Sequence, residues 1–337
     1  MGRPRTRLRD IAEKTGYSAN TVSLALRESP RIPEKTRELI RKVADELNYL
    51  PNRIAQSLVS QRSMTIGLIL PDLTNPILMQ VASEVSRVLA GQGYATMFAT
   101  SHRSLADEKE VIAALRERQC DGILIFPVVH SQTDHLARLR ANLYPIVSFA
   151  PFTMGELDSV ASDDEAGADA ATTHLVGQGR TRIALIDAAA PHGNLGKRAG
   201  YLAALQRAGI SPDPALIHEV PGAGVNRGLE AMEAFAARGV RPDAVLATND
   251  SLALGAELWC QQNGLTVPGD VALAGFDNIE FARLSPVPVT SVAYPVEVIV
   301  AAAVEKLREL IDAADKFPPA THQLIRPELL IRASSKA

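Results

Sequence analysis

The chain has few of the features that would place it outside the reducing interior of a cell. Cys120 and Cys260 are the only cysteines among 337 residues, and two thiols so far apart in sequence indicate no disulfide framework. The opening residues, MGRPRTRLRD, carry charge but no apolar segment, so they do not resemble a signal peptide. No apolar run approaches the roughly 20 residues that cross a bilayer. We therefore expect a cytoplasmic protein, associated with the nucleoid if it binds DNA.

Several catalytic and cofactor motifs are also missing. Residues 193–198, GNLGKR, lack the glycine spacing and the Ser or Thr after lysine that a Walker phosphate loop requires. Gly91 and Gly93 follow a helical pattern, whereas the glycines of a dinucleotide loop open a helix after a strand. His130 and His135 are close but have no cysteine or carboxylate cluster around them, and no Ser/His/Asp set can be paired. We expect no catalytic residue, no metal site, no cofactor and no enzymatic activity.

The charge of the chain is divided unevenly. Residues 1–63 contain 13 Lys and Arg against 7 Asp and Glu, a net charge of +6, and the remaining residues contain 22 against 31, a net charge of −9. The two parts sum to the overall charge of −3. A basic amino-terminal part on an acidic body is typical of a phosphate-binding module on a soluble carrier, so this division indicates a DNA-binding head.

Residues 8–26, LRDIAEKTGYSANTVSLAL, have the pattern of two short helices joined by a tight turn. Apolar residues recur at helical spacing, Gly16 can adopt the positive φ of the turn, and Ser18 can cap the second helix. This pattern predicts a helix-turn-helix, whose second helix enters the major groove. Short or polar side chains suit base edges there, and hydroxyls suit phosphates. The candidates for DNA contact are Ser18, Ala19, Asn20, Thr21 and Ser23.

Two further segments favour this interpretation over the alternative, an ordinary helical hairpin without a ligand. Residues 33–47 predict a third helix, whose apolar residues complete a small core. Residues 51–58, PNRIAQSL, predict a helix that is too short to be stable alone in water. Such a segment could become ordered on DNA together with a partner copy.

From residue 64 onward, short apolar runs alternate with helical patterns. This alternation predicts parallel sheets covered by helices on both faces, and two series of strand–helix units predict two lobes that divide near residues 160–162. The expected strands are 64–70, 95–99, 122–126, 146–149, 183–186, 244–247 and 271–275. The expected helices are 78–90, 107–118, 165–176, 197–208, 226–237, 250–262 and 296–311.

Polar side chains follow several of these strands. Ligands of open parallel sheets lie at the carboxyl ends of the strands, so the loops there are candidates for a binding site. Carboxylate and amide groups that converge on one cleft suit hydroxyl-rich or amine-bearing ligands, whereas each group alone more often caps a turn or a helix. The polar candidates are Asp72, Asn75, Asn249, Asp250, Asp277 and Asn278. Asp250 could instead cap the helix that begins there. Phe126, at the end of an expected strand, is a further candidate.

Three segments together resemble the LacI/GalR family of bacterial transcription regulators, and the resemblance covers essentially the whole chain. They are residues 8–26, residues 31–58 and the start of the body at 66–76, IGLILPDLTNP. The resemblance implies a helix-turn-helix head, a hinge helix and a core of the periplasmic-binding-protein type I fold that holds a small effector between two lobes. It further implies a homodimer that binds a pseudo-palindromic operator in double-stranded DNA, most often as a repressor.

The resemblance also assigns roles in the head. The family's hinge leucine, which wedges between base steps of the minor groove, corresponds to Leu58. Asn52, Arg53 and Ala55 would lie beside it. The last base-contact position of the recognition helix is often Arg in the family and is Leu24 here, which cannot bond guanine. We therefore expect a different operator preference at that base pair.

In the cleft, the family positions that bond the effector match Asn249 and Asp277. The usual effector-binding arginine corresponds to Lys197, beside Arg198, so the cation is kept without its planar fork. Ile77 stands where the family often has an aromatic residue. These departures mean that no relative's effector can be transferred to this chain.

We therefore expect a helix-turn-helix domain at 1–50, a hinge helix and linker at 51–63, an amino-terminal lobe at 64–160 plus 292–321, and a carboxyl-terminal lobe at 161–291 plus 322–337. One rival function is that of a solute-binding protein, which would need an export signal and no basic head. Another is that of a carbohydrate-active enzyme, which would need an acid/base or nucleophile set. Neither requirement is met by the sequence.

Overall fold

The computed structural model describes residues 6–49, 62–152, 155–188, 195–313 and 315–336. The chain divides into two compact units, Met1–Ser63 and Met64–Ala337, which we call the head and the core. None of the helices in the described ranges is long and apolar enough to cross a membrane.

The head contains three helices, α1 (Leu8–Thr15), α2 (Ala19–Leu26) and α3 (Glu34–Glu46). They pack around a small core that includes Ile11, Val22, Ala25, Ile40 and Val43. This arrangement confirms the three helices expected from the spacing of the apolar residues.

The turn between α1 and α2 is stabilised by its own residues. Gly16 has φ of +72°, a left-handed conformation that glycine adopts without steric cost. The backbone N–H of Thr21 donates to Ser18 Oγ at 3.1 Å, so Ser18 caps α2 as expected. At the start of α1 the side chain of Arg7 makes no capping bond, but Asp10 Oδ2 accepts the backbone N–H of Arg7 at 2.7 Å.

The first of two sheets in the core has the strand order β11-β5-β4-β3-β1-β2, and every pairing within it is parallel. Its strands are β1 (Thr65–Leu70), β2 (Ala95–Thr100), β3 (Gly122–Ile125), β4 (Ile146–Ser148), β5 (Asp158–Ser162) and β11 (His322–Ile325). Its helices are α4 (Pro76–Gly91), α5 (Leu105–Glu117), α6 (Asp134–Ala141) and α12 (Val296–Ala313). We call this sheet with its helices the first lobe.

The second sheet has the order β12-β10-β9-β8-β6-β7, in which only β12 runs antiparallel to its neighbour. Its strands are β6 (Ile183–Asp187), β7 (Ile217–Glu219), β8 (Ala244–Ala247), β9 (Ala272–Phe276), β10 (Thr290–Ala293) and β12 (Glu328–Leu330). Its helices are α7 (Asp164–Gly177), α8 (Gly196–Arg207), α9 (Val225–Ala237), α10 (Asp250–Gln262) and α11 (Glu280–Arg283), with a 3₁₀ turn at Pro214–Leu216. This is the second lobe.

The seven strands and seven helices expected in the core are all present, with ends that differ by a few residues. β3, β6, β8 and β9 are buried along their whole length, because helices cover both faces of each sheet. The two-lobe α/β architecture expected from the alternating pattern is therefore confirmed.

The chain passes between the lobes three times: after β5, between β10 and α12, and between β11 and β12. Each passage lies a few residues beyond the bounds expected at 160, 291 and 321. His322–Ile325, which we expected in the carboxyl-terminal lobe, belongs to the first sheet because it pairs in parallel with Ser159–Ser162. Three crossing segments bring strand ends of both sheets to one cleft.

Candidate functional site

The first candidate site is the outer face of α2 in the head. Ala19 and Asn20 are exposed at its amino-terminal end, whereas Val22 and Ala25 face the small core. No acidic residue lies in the first turn of α2. The positive end of the helix dipole and its unpaired N–H groups therefore favour an anion such as a phosphate.

The other predicted DNA-contact residues on and beside α2 differ in how much of each side chain is exposed. Thr21, Ser23 and Leu24 are half-buried, so they present only part of their side chains. Ser18 is exposed, but its hydroxyl already accepts the N–H of Thr21 and lies 2.9 Å from Thr21 Oγ1. Tyr17, which the sequence reasoning did not single out, is 37% exposed directly before this cap. The predicted contacts Asn52, Arg53, Ala55 and Leu58 lie outside the described residues.

The second candidate site is a cavity of about 160 Å³ in the cleft between the two lobes of the core. Five of the residues predicted to bind an effector line it: Asn75, Ile77, Phe126, Lys197 and Asp277. They come from the start of α4, the end of β3, the start of α8 and the end of β9. The carboxyl ends of parallel strands therefore converge where the topology predicts a binding site.

Three other predicted residues are not among those that line the cavity, and each has a partner elsewhere. Asp72 accepts a hydrogen bond from the backbone N–H of Thr74 at 2.7 Å and from Arg103 Nε at 2.6 Å. Arg198 Nε donates to Asp187 Oδ2 at 2.8 Å. Asn249 Oδ1 caps α10 by accepting the N–H of Leu252 at 2.9 Å. Each of these three side chains therefore has a structural role in hydrogen bonds away from the cavity.

Lys197 is held firmly in the cavity wall. Its Nζ donates to the carbonyl oxygen of Thr248 at 2.8 Å and lies 3.8 Å from Asp164 Oδ2. The same ammonium group stands over the ring of Phe276, 4.3 Å from its centroid. Such a cation–π contact fixes the charge at one place in the site.

Asp277 faces Lys197 from the end of β9, and its backbone is unusual. Its φ of +98° is rare for a non-glycine residue, and its N–H donates to the carbonyl oxygen of Val292 at 2.8 Å. Asn75 Nδ2 donates to Asp277 Oδ2 at 3.5 Å, which joins the two lobes across the cleft. Burial raises the pKa of the Asp277 carboxyl, and the nearby Asp164 carboxylate raises it further, against the opposing effect of Lys197.

Four polar residues of the cavity were not predicted from the sequence to bind an effector: His130, Ser162, Asp164 and Tyr294. Burial lowers the pKa of the His130 ring, so this imidazole is neutral at pH 7. The Tyr294 hydroxyl is buried and has no hydrogen-bond partner among the described residues. Asp164 and Tyr294 lie where the chain crosses between lobes, and the signal that could have found them was the position of those crossings.

The opposite wall of the cavity is apolar and comes mainly from the first lobe. Ile77, Leu78 and Val81 contribute one turn of α4 and the start of the next. Phe126 and Phe149 stack with ring centroids 4.7 Å apart. A bound molecule would therefore meet hydrocarbon on one side and hydrogen-bonding groups on the other.

No group of three or more His, Cys, Asp or Glu side chains within the described ranges is arranged to hold a metal ion.

Two family models match the chain, one in each unit. The model described as bacterial regulatory proteins, lacI family, matches residues 7–52, and the model of a periplasmic binding protein-like domain matches residues 172–335. The first model covers α2, and the second covers three of the residues that line the cavity, Lys197, Asp277 and Tyr294.

Two curated relatives are similar over most of the chain. The ribose operon repressor of Escherichia coli (strain K12) is 31% identical over 301 residues, which are 86% of this chain and 88% of the relative. The HTH-type transcriptional repressor PurR of Vibrio campbellii is 29% identical over 334 residues, 98% of each chain.

Two solved structures of transcription regulators are also similar to this chain over most of its length. A transcriptional regulator of the LacI family from Sanguibacter keddieii is 34% identical with a TM-score of 0.73, over 82% of this chain and 100% of that one. The lac repressor dimer bound to operator and the anti-inducer ONPF has a TM-score of 0.89 over 99% and 100% of the two chains, and at 24% identity it supports the fold alone.

Proposed function

Because the chain belongs to the lacI family of bacterial regulatory proteins, we propose that it represses transcription from a pseudo-palindromic operator and that a small molecule in the interlobe cleft controls operator binding. The observation that carries this proposal is the presence of two sites in one chain. The head exposes the start of α2, and the core holds a cavity between its two lobes. The protein would act in the cytoplasm, on the nucleoid.

Three positions of α2, Ala19, Asn20 and Leu24, support a base code that differs from that of arginine-bearing regulators. Asn20 can bond adenine through both atoms of its amide, and the methyl group of Ala19 can contact a thymine methyl. Leu24 offers only apolar contact. We propose that Ser18 and Thr21 set the register on the phosphate backbone, that Ser23 faces the base edges, and that Asn52, Arg53, Ala55 and Leu58 contact the minor groove at the operator centre.

Exposed apolar side chains of the second lobe support a homodimer. Val225, Leu258, Phe281 and Leu284 belong to α9, α10 and the segment of α11, which pack side by side, and Phe281 is 69% exposed. Such a surface is costly on a monomer and is typical of a subunit interface. Two copies would present two recognition helices to the two half-sites of an operator.

Coupling between the sites requires that the effector favours one arrangement of the lobes. Asn75 of the first lobe contacts Asp277 of the second within the cavity. A ligand that inserts between these side chains changes the free-energy difference between open and closed lobes, and hence the affinity for operator.

Selection of DNA from a random duplex library tests the function. We expect the purified full-length protein to enrich a palindrome, and Leu24→Arg to shift one position of each half-site toward guanine, because arginine bonds guanine O6 and N7. The change in preference at that base pair should be about 10-fold or more, the effect of one bidentate contact. Failure of both proteins to enrich any sequence would overturn the proposal.

The two rival functions are not favoured. A solute-binding protein shares the core, but the match to the lacI family over residues 7–52 gives this chain a DNA-binding head as well. The curated relatives that match nearly the whole chain are transcription regulators, and this favours regulation over carbohydrate conversion.

A further inference from the structure

One carboxylate bonds the chain at the point where the core begins. The head ends at Ser63, and β1 begins at Thr65. The backbone N–H of Met64 donates to Asp121 Oδ2 at 2.9 Å, and the N–H of Asp121 donates to the carbonyl oxygen of Thr65 at 2.8 Å. Asp121 therefore bonds both ends of the unit formed by Met64 and Thr65, the first two residues of the core.

The backbone of Met64 has an uncommon conformation. Its φ of +54° lies in the left-handed region, which residues other than glycine rarely adopt. Such a conformation persists where the surrounding bonds fix it. Asp121 bonds the N–H of Met64, and the carbonyl oxygen of Met64 accepts the N–H of Ala95 at 2.8 Å, at the start of β2. These bonds fix the direction of the backbone at the first residue of the core.

The residues around Asp121 have little room to move. Asp121 directly precedes β3, which lies between β4 and β1 in the first sheet. A Cβ added at the next residue, Gly122, would lie 3.0 Å from Leu307 Cδ1 and 3.1 Å from the carbonyl oxygen of Pro145. Such close packing resists displacement. The carboxylate that bonds Met64 therefore has a fixed position in the first lobe.

The second lobe contains the same arrangement in a different context. Asp243 directly precedes β8, and its carboxylate accepts the N–H groups of Thr181 at 2.9 Å and Arg182 at 3.0 Å, just before β6. β8 pairs with β6 as β3 pairs with β1. β6 follows α7 of its own lobe, whereas β1 follows the head. The bond that holds the start of a strand in the second lobe is therefore placed, in the first lobe, where the head is attached.

We propose that Asp121 is a positioning residue for operator binding: it holds Met64 so that the chain leaves the core at a fixed place, and the affinity for operator depends on this bond. Asp121 is not among the residues of either candidate site. Fixing the backbone of a residue costs free energy. The core fixes Met64 before DNA binds, so that binding does not have to order it. This inference rests on the proposed function of the chain as an operator-binding regulator.

Asp121→Ala removes the carboxylate and tests the proposal on the full-length protein. We expect the Met64 amide to exchange its hydrogen faster, as measured by mass spectrometry on peptides that span it. Affinity for the palindrome that the wild type enriches from a random duplex library should fall about 10-fold or more, because Met64 of each copy must then be ordered on binding. Fluorescence anisotropy measures this affinity at a temperature well below the melting temperatures of both proteins.

Asp121→Asn is the conservative variant, since its amide oxygen can still accept the Met64 N–H. We expect its operator affinity to stay within about 3-fold of the wild type, and the slow exchange of the Met64 amide to be retained. If Asp121→Ala does not fold, Asp121→Ser replaces it, because the shorter serine side chain withdraws the acceptor from Met64.

Asp243→Ala is the matched control. It removes the equivalent carboxylate from the second lobe, so we expect a lower melting temperature, as for Asp121→Ala. Operator affinity and hydrogen exchange at Met64 should be unchanged. An equal loss of operator affinity in the two variants would show that the stability of the core, and not the position of Met64, sets the affinity, and would reject the inference.

The same titrations separate this inference from the proposed function. If the wild type enriches and binds no duplex, the regulator is wrong and this inference fails with it. If the wild type binds a palindrome and Asp121→Ala, or Asp121→Ser in its place, binds it equally well, the regulator stands and only the role of Asp121 is wrong.

Discussion

Asp250 is buried at the start of α10, where its carboxyl group contacts a hydroxyl and a backbone N–H. Ser291 Oγ lies 2.7 Å from Asp250 Oδ1, and the N–H of Ile279 donates to Oδ2 at 2.8 Å. Burial, with a further contribution from the Asp277 carboxyl, raises the pKa of Asp250 to about 8. Between its ordinary pKa of 3.8 and this value, the folded protein binds a proton that the unfolded chain has lost.

This proton linkage makes stability fall with rising pH. The contribution of Asp250 is complete below pH 3.8 and is lost as the pH rises toward about 8, with a slope of up to about 1.4 kcal/mol per pH unit. Asp250→Asn resembles the protonated carboxyl, since its amide can donate to Ser291 while its oxygen accepts from Ile279. We expect the variant to lose this part of the pH dependence and to be the more stable protein above pH 8. Urea unfolding at pH 5 and pH 8.5 measures the free energy of unfolding of both proteins. If this free energy changes equally between the two pH values in the variant and the wild type, the assignment to Asp250 is contradicted.

At the same scale, the sequence predicted the cavity residues that directly follow strands, such as Asp277 and Phe126. It did not predict Asp164 or Tyr294, because both lie at crossings between lobes, and the pairing of distant strands sets where those crossings fall. Nor could it show that Asp72 and Arg198 have partners elsewhere, since Arg103 and Glu219 are distant in sequence.

Among the elements, α9 and α10 are packed unusually closely through glycine. A Cβ added at Gly255 would lie 2.0 Å from the carbonyl oxygen of Val225, and one at Gly228 would lie 2.0 Å from that of Leu252. Both obstacles are backbone atoms, which cannot rotate away. We expect Gly255→Ala to lower the free energy of unfolding of the core by about 1–3 kcal/mol, as overpacking does in other cores.

Gly91→Ala provides the control for Gly255→Ala. Gly91 ends α4, and an added Cβ there meets no atom within 4 Å. This change should leave stability unchanged or raise it by up to about 1 kcal/mol, because alanine loses less backbone entropy on folding. Equal effects of the two substitutions in urea unfolding would show that helix propensity, and not close packing, governs Gly255.

The elements that the sequence predicted are those with a continuous apolar run or a clear helical period. Elements without such a pattern were not predicted, and β5 shows why. Asp158 and Ser159 give it a polar pattern, but both are fully buried because Arg140 Nε donates to Asp158 Oδ2 at 2.6 Å and Thr321 N donates to Oδ1 at 2.8 Å. Tertiary partners therefore override the local pattern in this strand.

At the scale of the whole molecule, the exposed apolar surface of the second lobe is a property that the sequence could not predict. Phe281 and Leu284 fit the apolar pattern of a buried helix, yet they are 69% and 64% exposed. If this surface joins two copies, Phe281→Glu places a charge in an apolar interface without disturbing the core of either lobe. We expect the variant to sediment as a monomer at concentrations where the wild type is a dimer.

Operator binding should weaken along with dimerisation. A dimer binds the second half-site as an intramolecular step, and the loss of that advantage lowers affinity by about 100-fold or more. Ile331→Glu is the matched control, since Ile331 is also an exposed apolar residue at 52% but follows β12 and belongs to none of α9, α10 and α11. We expect this control to remain dimeric with normal operator affinity. A dimeric Phe281→Glu protein with wild-type operator affinity would place the subunit interface elsewhere on the core.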